Sequence, residues 1–367
     1  MVGMPGVARA ACGMESASRR CDSIVERRPD GGDEGVVRVE SREHTFAKPD
    51  GSECVVARTG GGSAPTWALH ALARIPNVKL VVCDANPLSV GFSIADARAV
   101  IPLAQDPAFV DRMLDVCREQ RVDVLLPAVD EEIPLLGAAR ERFAAFGTTV
   151  LLSPQHALET CQDKAAFARF LTRHDIPAPR SWLPDEAPRA AYPWIVKPRA
   201  GRGSTNVWKI ENDAQRDFFT PRTPNPILQE FAPGVECTVD TLSDLDGRFL
   251  YGSPRIRLAT DSGISISGEV VADDDAMALV ARLLDTLGVV GPANVQYIRP
   301  DERTVLLLEI NPRLSGGGAL TEGAGIPYIE DVLRVAFGLP VPVRRPVVGT
   351  RMLRQWSEVF LAPGSAY

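Results

Sequence analysis

Glu309, Asn311 and Arg313 occupy alternate positions where an apolar run, Val305-Leu306-Leu307-Leu308, gives way to polar residues. The run reads as a buried strand. Side chains alternate along a strand, so Glu309 and Asn311 leave the same face, and Arg313 follows if the chain stays extended past Pro312. A buried carboxylate needs a partner. Two oxygens on one face suit a hard cation, and a guanidinium beside them suits phosphate. A strand end carrying a structural ion pair is the plain alternative. The segment Pro292–Ile298 reads as the preceding strand, antiparallel to this one, which lets Gln296 face Glu309 across the ladder.

Other residues add to that chemistry. Lys197 ends a short apolar strand, Pro193–Val196, and is followed by Arg199-Ala200-Gly201-Arg202-Gly203-Ser204-Thr205. Glycines, arginines and hydroxyls in such a turn can form an anion nest, and Val207–Ile210 resumes as a strand, so the loop sits in a hairpin. No G-K-[ST] and long helix follow, which excludes a Walker-A loop. Lys164 opens a helix over 163–174, where a lysine opposes the dipole; a phosphate contact and a solvated surface lysine are both open readings. Arg255 and Arg257 share a strand face and are candidates to hold a substrate carboxylate or acyl phosphate, against a solvated face as the plain reading. Asp130-Glu131-Glu132 reads as charge at a helix start rather than a catalytic pair. Gly60-Gly61-Gly62 with Asp84 downstream is an incomplete dinucleotide fingerprint, and a tight strand-to-helix turn accounts for it.

The elements that must position these residues fall into four stretches. Residues 1–51 are polar, rich in Gly and Arg, and read as a loosely attached arm without assigned function. From 52 to 152, short strands (54–57, 80–84, 98–102, 122–127, 148–152) alternate with helices (64–75, 107–119, 133–146), which implies a parallel sheet covered on both faces. Residues 153–230 hold linker helices, with Ser153 as a candidate cap, and the glycine-loop hairpin; residues 231–367 hold antiparallel strands, helices over 273–287 and 327–337, and a closing strand over 351–361.

A length of 367 residues calls for more than one domain. The net charge of −7 argues against an electrostatic nucleic-acid or membrane-surface binder. No apolar stretch is long enough to span a bilayer and no secretory leader is evident, so a cytoplasmic location is expected. The seven cysteines form no C-x-x-C pair, and the four histidines are isolated, so reduced thiols are expected and neither a zinc site nor a His-based metal site has support.

Four segments, in order, resemble the ATP-grasp superfamily, above all its carbamoyl-phosphate-synthase-like branch. They are Ile195–Arg199 with its glycine loop, Gln229-Glu230-Phe231 through Glu236–Asp240, Asn294-Val295-Gln296, and Glu309–Arg313. The resemblance covers roughly residues 52–361. It implies an α/β and α+β chain, with a doubly wound parallel-sheet preATP-grasp domain followed by a two-lobed ATP-grasp domain. It implies that Lys164 and Lys197 bind nucleotide phosphates and that Gly201, Gly203 and Ser204 close over them. Glu230 and Phe231 would lie at the adenine hinge, and Glu236 would take the ribose hydroxyls. Glu309, Asn311 and Gln296 would hold Mg²⁺, for which Mn²⁺ could substitute, and Arg313 would face the reacting phosphate. Gly60–Gly62 would be scaffold. The branch's synthases carry a second arginine where Gly316 stands here, which opens the pocket, and Asn206 replaces a common glycine. The expectation is a stand-alone, ADP-forming carboxylate–amine ligase acting through an acyl phosphate on amino-acid-like substrates, with no nucleic-acid or membrane partner and a homodimer admitted. A bicarbonate-using enzyme and a non-catalytic nucleotide-binding protein are the alternatives.

Overall fold

The first strand, β1 (Cys54–Thr59), has no polar side chain before Arg58, and its residues divide between two cores. Cys54 and Val56 face one, Val55 and Ala57 the other, as period-two alternation demands of a strand covered on both sides. In this computed structural model, which describes residues 44–62, 66–188, 192–201, 205–261 and 264–363, the chain then runs α1 (Thr66–Arg74), β2 (Val78–Asp84), β3 (Ala97–Val100), α2 (Phe109–Gln120), β4 (Val124–Leu126), α3 (Ile133–Ala138), α4 (Arg140–Ala144) and β5 (Thr149–Val150). The five strands form the expected parallel, doubly wound sheet in the order β3-β2-β1-β4-β5. Strand order reverses between β1 and β4, so a crevice lies beyond their carboxyl ends. The single helix expected over 133–146 is two, broken at Ala139. Gly60 adopts φ +71°, and Asp84 is spent on the turn, accepting from Gly61 N at 2.6 Å and Ser89 Oγ at 3.0 Å. A Cβ on Gly61 would lie 2.4 Å from Ser89 Oγ, which supports the tight-turn reading.

Helices α5 (Gln155–Gln162) and α6 (Lys164–Arg173) follow. Ser153 does not cap α5, whose first flanking residue is Pro154; it is buried and its Oγ accepts from Val290 N at 3.0 Å, tying the linker to a later strand. The cap that forms is Asp163, which accepts from Ala165 N and Ala166 N. A small antiparallel sheet comes next: β6 (Ser181–Trp182), β7 (Trp194–Pro198), β8 (Trp208–Ile210) and β9 (Pro226–Glu230), in the order β6-β9-β7-β8, with α7 (Asp213–Phe219) between β8 and β9. Trp194, Val196, Ile210 and Leu228 make its core.

The last sheet contains β10 (Val235–Ser243), β11 (Phe249–Asp261), β12 (Ile264–Val270), β13 (Gly291–Arg299), β14 (Leu306–Asn311) and β15 (Arg351–Leu353), ordered β14-β13-β10-β11-β12-β15. Helix α8 (Asp274–Leu287) covers its apolar face, and α9 (Ala319–Gly323) and α10 (Tyr328–Ala336) follow β14. The closing strand expected over 351–361 stops at Leu353, where its pairing with Ser267 of β12 ends. The expected arm is docked by residue 44: Glu330, buried on α10, hydrogen-bonds His44 Nδ1 at 2.7 Å and accepts from Thr45 N at 2.9 Å, and Phe46 packs on Phe337. Cys54, Cys83, Cys117, Cys161 and Cys237 are buried free thiols. Among the described residues, no helix is long and apolar enough to cross a membrane.

Candidate active site

Two rows of side chains cross the last sheet. Glu309 lies opposite Gln296, Gln296 opposite Thr238, and Thr238 opposite Arg255. One step along, Asn311, Asn294, Asp240 and Ser253 form the second row. Directly opposed residues in an antiparallel sheet share a face, so these rows make one polar surface. The other surface, with Val239, Val295, Tyr297 and Ile310, is sealed under α8. The expected pairing of Gln296 with Glu309 is therefore present. A bulge beside it, which the sequence pattern did not disclose, sets Leu308 on the open side next to Glu309.

The small sheet arches over that surface and leaves a cleft of about 270 Å³. Its lining brings together Lys164, Lys197, Gly201, Glu230, Phe231, Glu236, Arg257, Gln296 and Glu309, drawn from positions 145 residues apart at the extremes. Ile195, Val207, Ile298 and Leu308 supply apolar walls. Gly203 and Ser204, expected to close over the phosphates, lie outside the described residues. Asn206 adopts φ +57°, a left-handed conformation in which asparagine is the best replacement for glycine.

Lys197 is 9% exposed and donates to Gln229 Oε1 at 2.8 Å. Burial pushes its ammonium down to about 8; Glu309 pulls it up and Lys164 pushes it down further. Between about 8 and the ordinary 10.5, the unfolded chain therefore holds a proton that the folded chain does not. This group's contribution to stability accordingly rises with pH across that window and is unfavourable below it. Phosphate favours the charged form, so nucleotide binding above about pH 8 should take up a proton, and affinity should fall by up to about tenfold per pH unit. Calorimetry of Mg·ATP binding at pH 8.5 in two buffers of different ionisation enthalpy reads this directly. Lys197→Arg should abolish the uptake; equal uptake in both proteins would refute the assignment.

Lys164 reaches the cleft because Asp163 starts α6 there. Arg199 ion-pairs with Asp163, and Lys164 N donates to Arg199 O at 3.0 Å. Lys164 Nζ then donates to Gly201 O at 3.2 Å and lies 3.7 Å from Glu309 Oε2. Glu230 is held by Arg180, with Nε 3.1 Å from Oε2, and Lys209 Nζ sits 4.6 Å from the Phe231 ring centroid. Glu236 and Arg257 are ion-paired at the cleft edge. Arg257 thus lines the cleft beside Glu236.

Arg255, expected to meet a substrate carboxylate, is only 3% exposed. Its Nε donates to Asp240 Oδ2 at 2.8 Å, and a Cβ on Gly317 would fall 2.5 Å from Nη2. It is a support beneath the glycine turn. Asp240, fully buried, also accepts from Ser315 Oγ at 2.6 Å and Thr321 Oγ1 at 3.0 Å. Above the turn, Trp67 Nε1 donates to Ser315 O at 3.0 Å, and its ring fills the space that a Cβ on Gly318 would need, 2.4 Å away. Beside Gly316, Arg354 Nη2 donates to the carbonyl at 2.5 Å, so a guanidinium lies next to that glycine. Arg313 extends past the sheet to Asp130 in the first domain, with Nε–Oδ1 2.6 Å and Nη2–Oδ2 2.7 Å.

Asp130, Asp240, Gln229 and Arg354 were not singled out as site residues from the sequence. Asp130 had a legible signal, an acid just beyond a parallel strand's carboxyl end. Gln229 and Asp240 stood inside the resembling segments without a role of their own, and Arg354 had no signal, since each acts through a partner distant in sequence.

A divalent cation fits the polar surface. Glu309 supplies a carboxylate and Gln296 and Asn311 supply amide oxygens, all hard donors; Asn311 Nδ2 lies 3.4 Å from Glu309 Oε1 and holds it in place. Among the described residues no group of three or more His, Cys, Asp or Glu could hold a metal. A cation here would therefore take further oxygens from a phosphate ligand, which is how Mg²⁺ is usually held.

A family model described as an ATP-grasp domain matches residues 161–317, and one described as a PylC-like N-terminal domain matches residues 66–151. The carbamoyl phosphate synthase large chain of Rubrobacter xylanophilus is 26% identical over 285 residues, covering 70% of this chain and 26% of that protein. The chain spans about a quarter of the length of the curated relatives it matches. Two solved structures share its fold: the biotin carboxylase domain of 2-oxoglutarate carboxylase from Hydrogenobacter thermophilus (TM-score 0.68, 14% identity, 81% of this chain, 72% of that one) and the L-amino acid ligase from Bacillus licheniformis (TM-score 0.64, 18% identity, 78% and 74%).

Proposed function

The chain carries an ATP-grasp domain behind a PylC-like N-terminal domain, and from that premise we propose that it is an ATP-dependent, ADP-forming carboxylate–amine ligase acting on amino-acid-like substrates. One observation carries the reading: a single cleft gathers Lys164, Lys197, Gln296 and Glu309, and Arg313 stands at the end of the same strand. Adenine would lie between Phe231 and the Ile298 and Leu308 walls, with Glu236 toward the ribose. Lys164 and Lys197 would neutralise the phosphates. Mg²⁺ on Glu309, Gln296 and Asn311 would offset the remaining phosphate charge. The acid's carboxylate would approach at the Ser315–Gly318 turn, where Arg354 places a guanidinium. Attack of that carboxylate on the γ-phosphate gives an acyl phosphate and ADP, and an amine then displaces phosphate to form the amide. Because an acyl phosphate hydrolyses in water, the hairpin above the cleft would need to exclude solvent.

The test is an ADP-release screen of acids, amino acids included, each with and without amines, followed by mass spectrometry of the product. ADP release that requires both substrates and yields an amide supports the reading. Full turnover in both Lys197→Ala and Glu309→Ala would defeat the site assignment. A second reading has one observation in its favour. Arg354 restores a guanidinium beside Gly316, where bicarbonate-using relatives of the synthase type carry their own. ADP release driven by bicarbonate with no amine would select that reading instead.

A further inference from the structure

We propose that Asp130, in the first domain, is a positioning residue that aims Arg313 at the transferring phosphate. The inference rests on the reading of Arg313 as the phosphate-facing guanidinium. A guanidinium carries five N–H donors in a rigid fork. Asp130 takes the side edge of Arg313, one oxygen on Nε at 2.6 Å and the other on Nη2 at 2.7 Å, and Nη1 donates to Leu314 O at 3.2 Å. Two donors remain on the terminal nitrogens, so an anion meets the guanidinium end-on, along a direction that Asp130 sets. A bidentate pair of this kind fixes orientation as well as charge.

The surroundings show why the sheet that carries Arg313 cannot do this alone. Arg313 follows the last residue of β14 by two positions, outside any ladder. Its own strand offers only Glu309, which is already beside Lys164. Asp130 stands just beyond the carboxyl end of β4, at the point where the parallel sheet reverses its strand order, and its carbonyl accepts from Gln162 Nε2 at 2.8 Å. It is thus anchored to α5 as well as to its own domain. Close enough to feel the pair, Arg58 on β1 is 2% exposed; burial first, and then the charge of Arg313, push its guanidinium down to about 10. A like charge near Arg313 makes a fixed counterion at its side more necessary.

The experiment compares the affinity of the full chain for Mg·ADP and for the Mg²⁺ complex of the β,γ-imido analogue of ATP, by calorimetry. Wild type is expected to prefer the analogue. Asp130→Asn should cut that preference about five- to tenfold while leaving ADP affinity unchanged, which also reports an intact fold. Asp130→Ser should give the same loss. In an Arg313→Lys background, Asp130→Asn should add nothing, because a residue acting through another loses its effect when that other is gone. An unchanged preference in Asp130→Asn and Asp130→Ser, or losses that multiply in the double variant, would overturn the proposal while the nucleotide reading stands. Wild type that binds neither nucleotide would remove both.

Discussion

Glu309→Ala is expected to lower substrate-dependent ADP release at least about 10³-fold, the largest effect on activity that the site allows. Glu309 is the only carboxylate among the three candidate cation ligands; Gln296 opposite and Asn311 two residues on are neutral amides. It also lies 3.7 Å from Lys164 Nζ and supports the charge of Lys197. Its loss therefore removes a cation ligand and leaves the mutual repulsion of Lys164 and Lys197 offset only by the weaker influence of Glu236. Glu309→Gln separates the two contributions. It keeps an oxygen on the same face but not the charge, and raising Mg²⁺ or supplying Mn²⁺ should recover part of its activity and none of the alanine variant's. The measurement is a coupled ADP assay across metal concentration, with the melting temperature as a check on the fold. Turnover within tenfold of wild type in Glu309→Ala would end the metal assignment.

How far these residues could be read from sequence depended on the range of the interaction involved. The alternation through Glu309-Ile310-Asn311 is local, and the turn at Asp301-Glu302 marks which strand lies beside it, so the facing of Gln296 and Glu309 was legible. The parallel sheet was legible from alternating apolar runs, and the order of its strands agrees with a doubly wound domain. The fate of the arginines was not. Arg255 and Arg257 share a face, as alternation requires, yet one is buried on Asp240 and the other pairs with Glu236 at the cleft edge. That division is decided by where the glycine turn closes over the sheet, 60 residues further along the chain at Ser315. Arg313 and Asp130 are 183 residues apart and meet only because two domains do. Leu308 entered the cleft through a bulge that leaves no mark on the hydrophobic pattern. Periodicity reports on one element at a time, whereas counterions and bulges belong to pairs of elements.

Asp240→Ala is expected to destabilise the protein by about 3–5 kcal/mol, because it strands a buried guanidinium. Asp240 and Arg255 are both essentially inaccessible to water, and the carboxylate is the acceptor for Arg255, Ser315 and Thr321 together. Without it, Arg255 keeps, among the described residues, only a long contact to Ser315 Oγ at 3.4 Å, and two buried hydroxyls lose their acceptor. The decisive comparison is the double variant. If the cost comes from an uncompensated charge, Asp240→Ala with Arg255→Met should recover at least about half of the loss, since a buried pair replaced by apolar groups is often near neutral. If the carboxylate matters chiefly as the acceptor that seats Ser315 and Thr321, the double variant should stay as unstable as the single one. Urea unfolding of the four proteins distinguishes these outcomes, and an Asp240→Ala variant within about 1 kcal/mol of wild type would contradict the buried-pair account altogether. Activity supplies a separate readout. The same network sets the Ser315–Gly318 turn, where the proposed acid would approach, so the stabilised double variant should still turn over slowly, its fold recovered and that turn not.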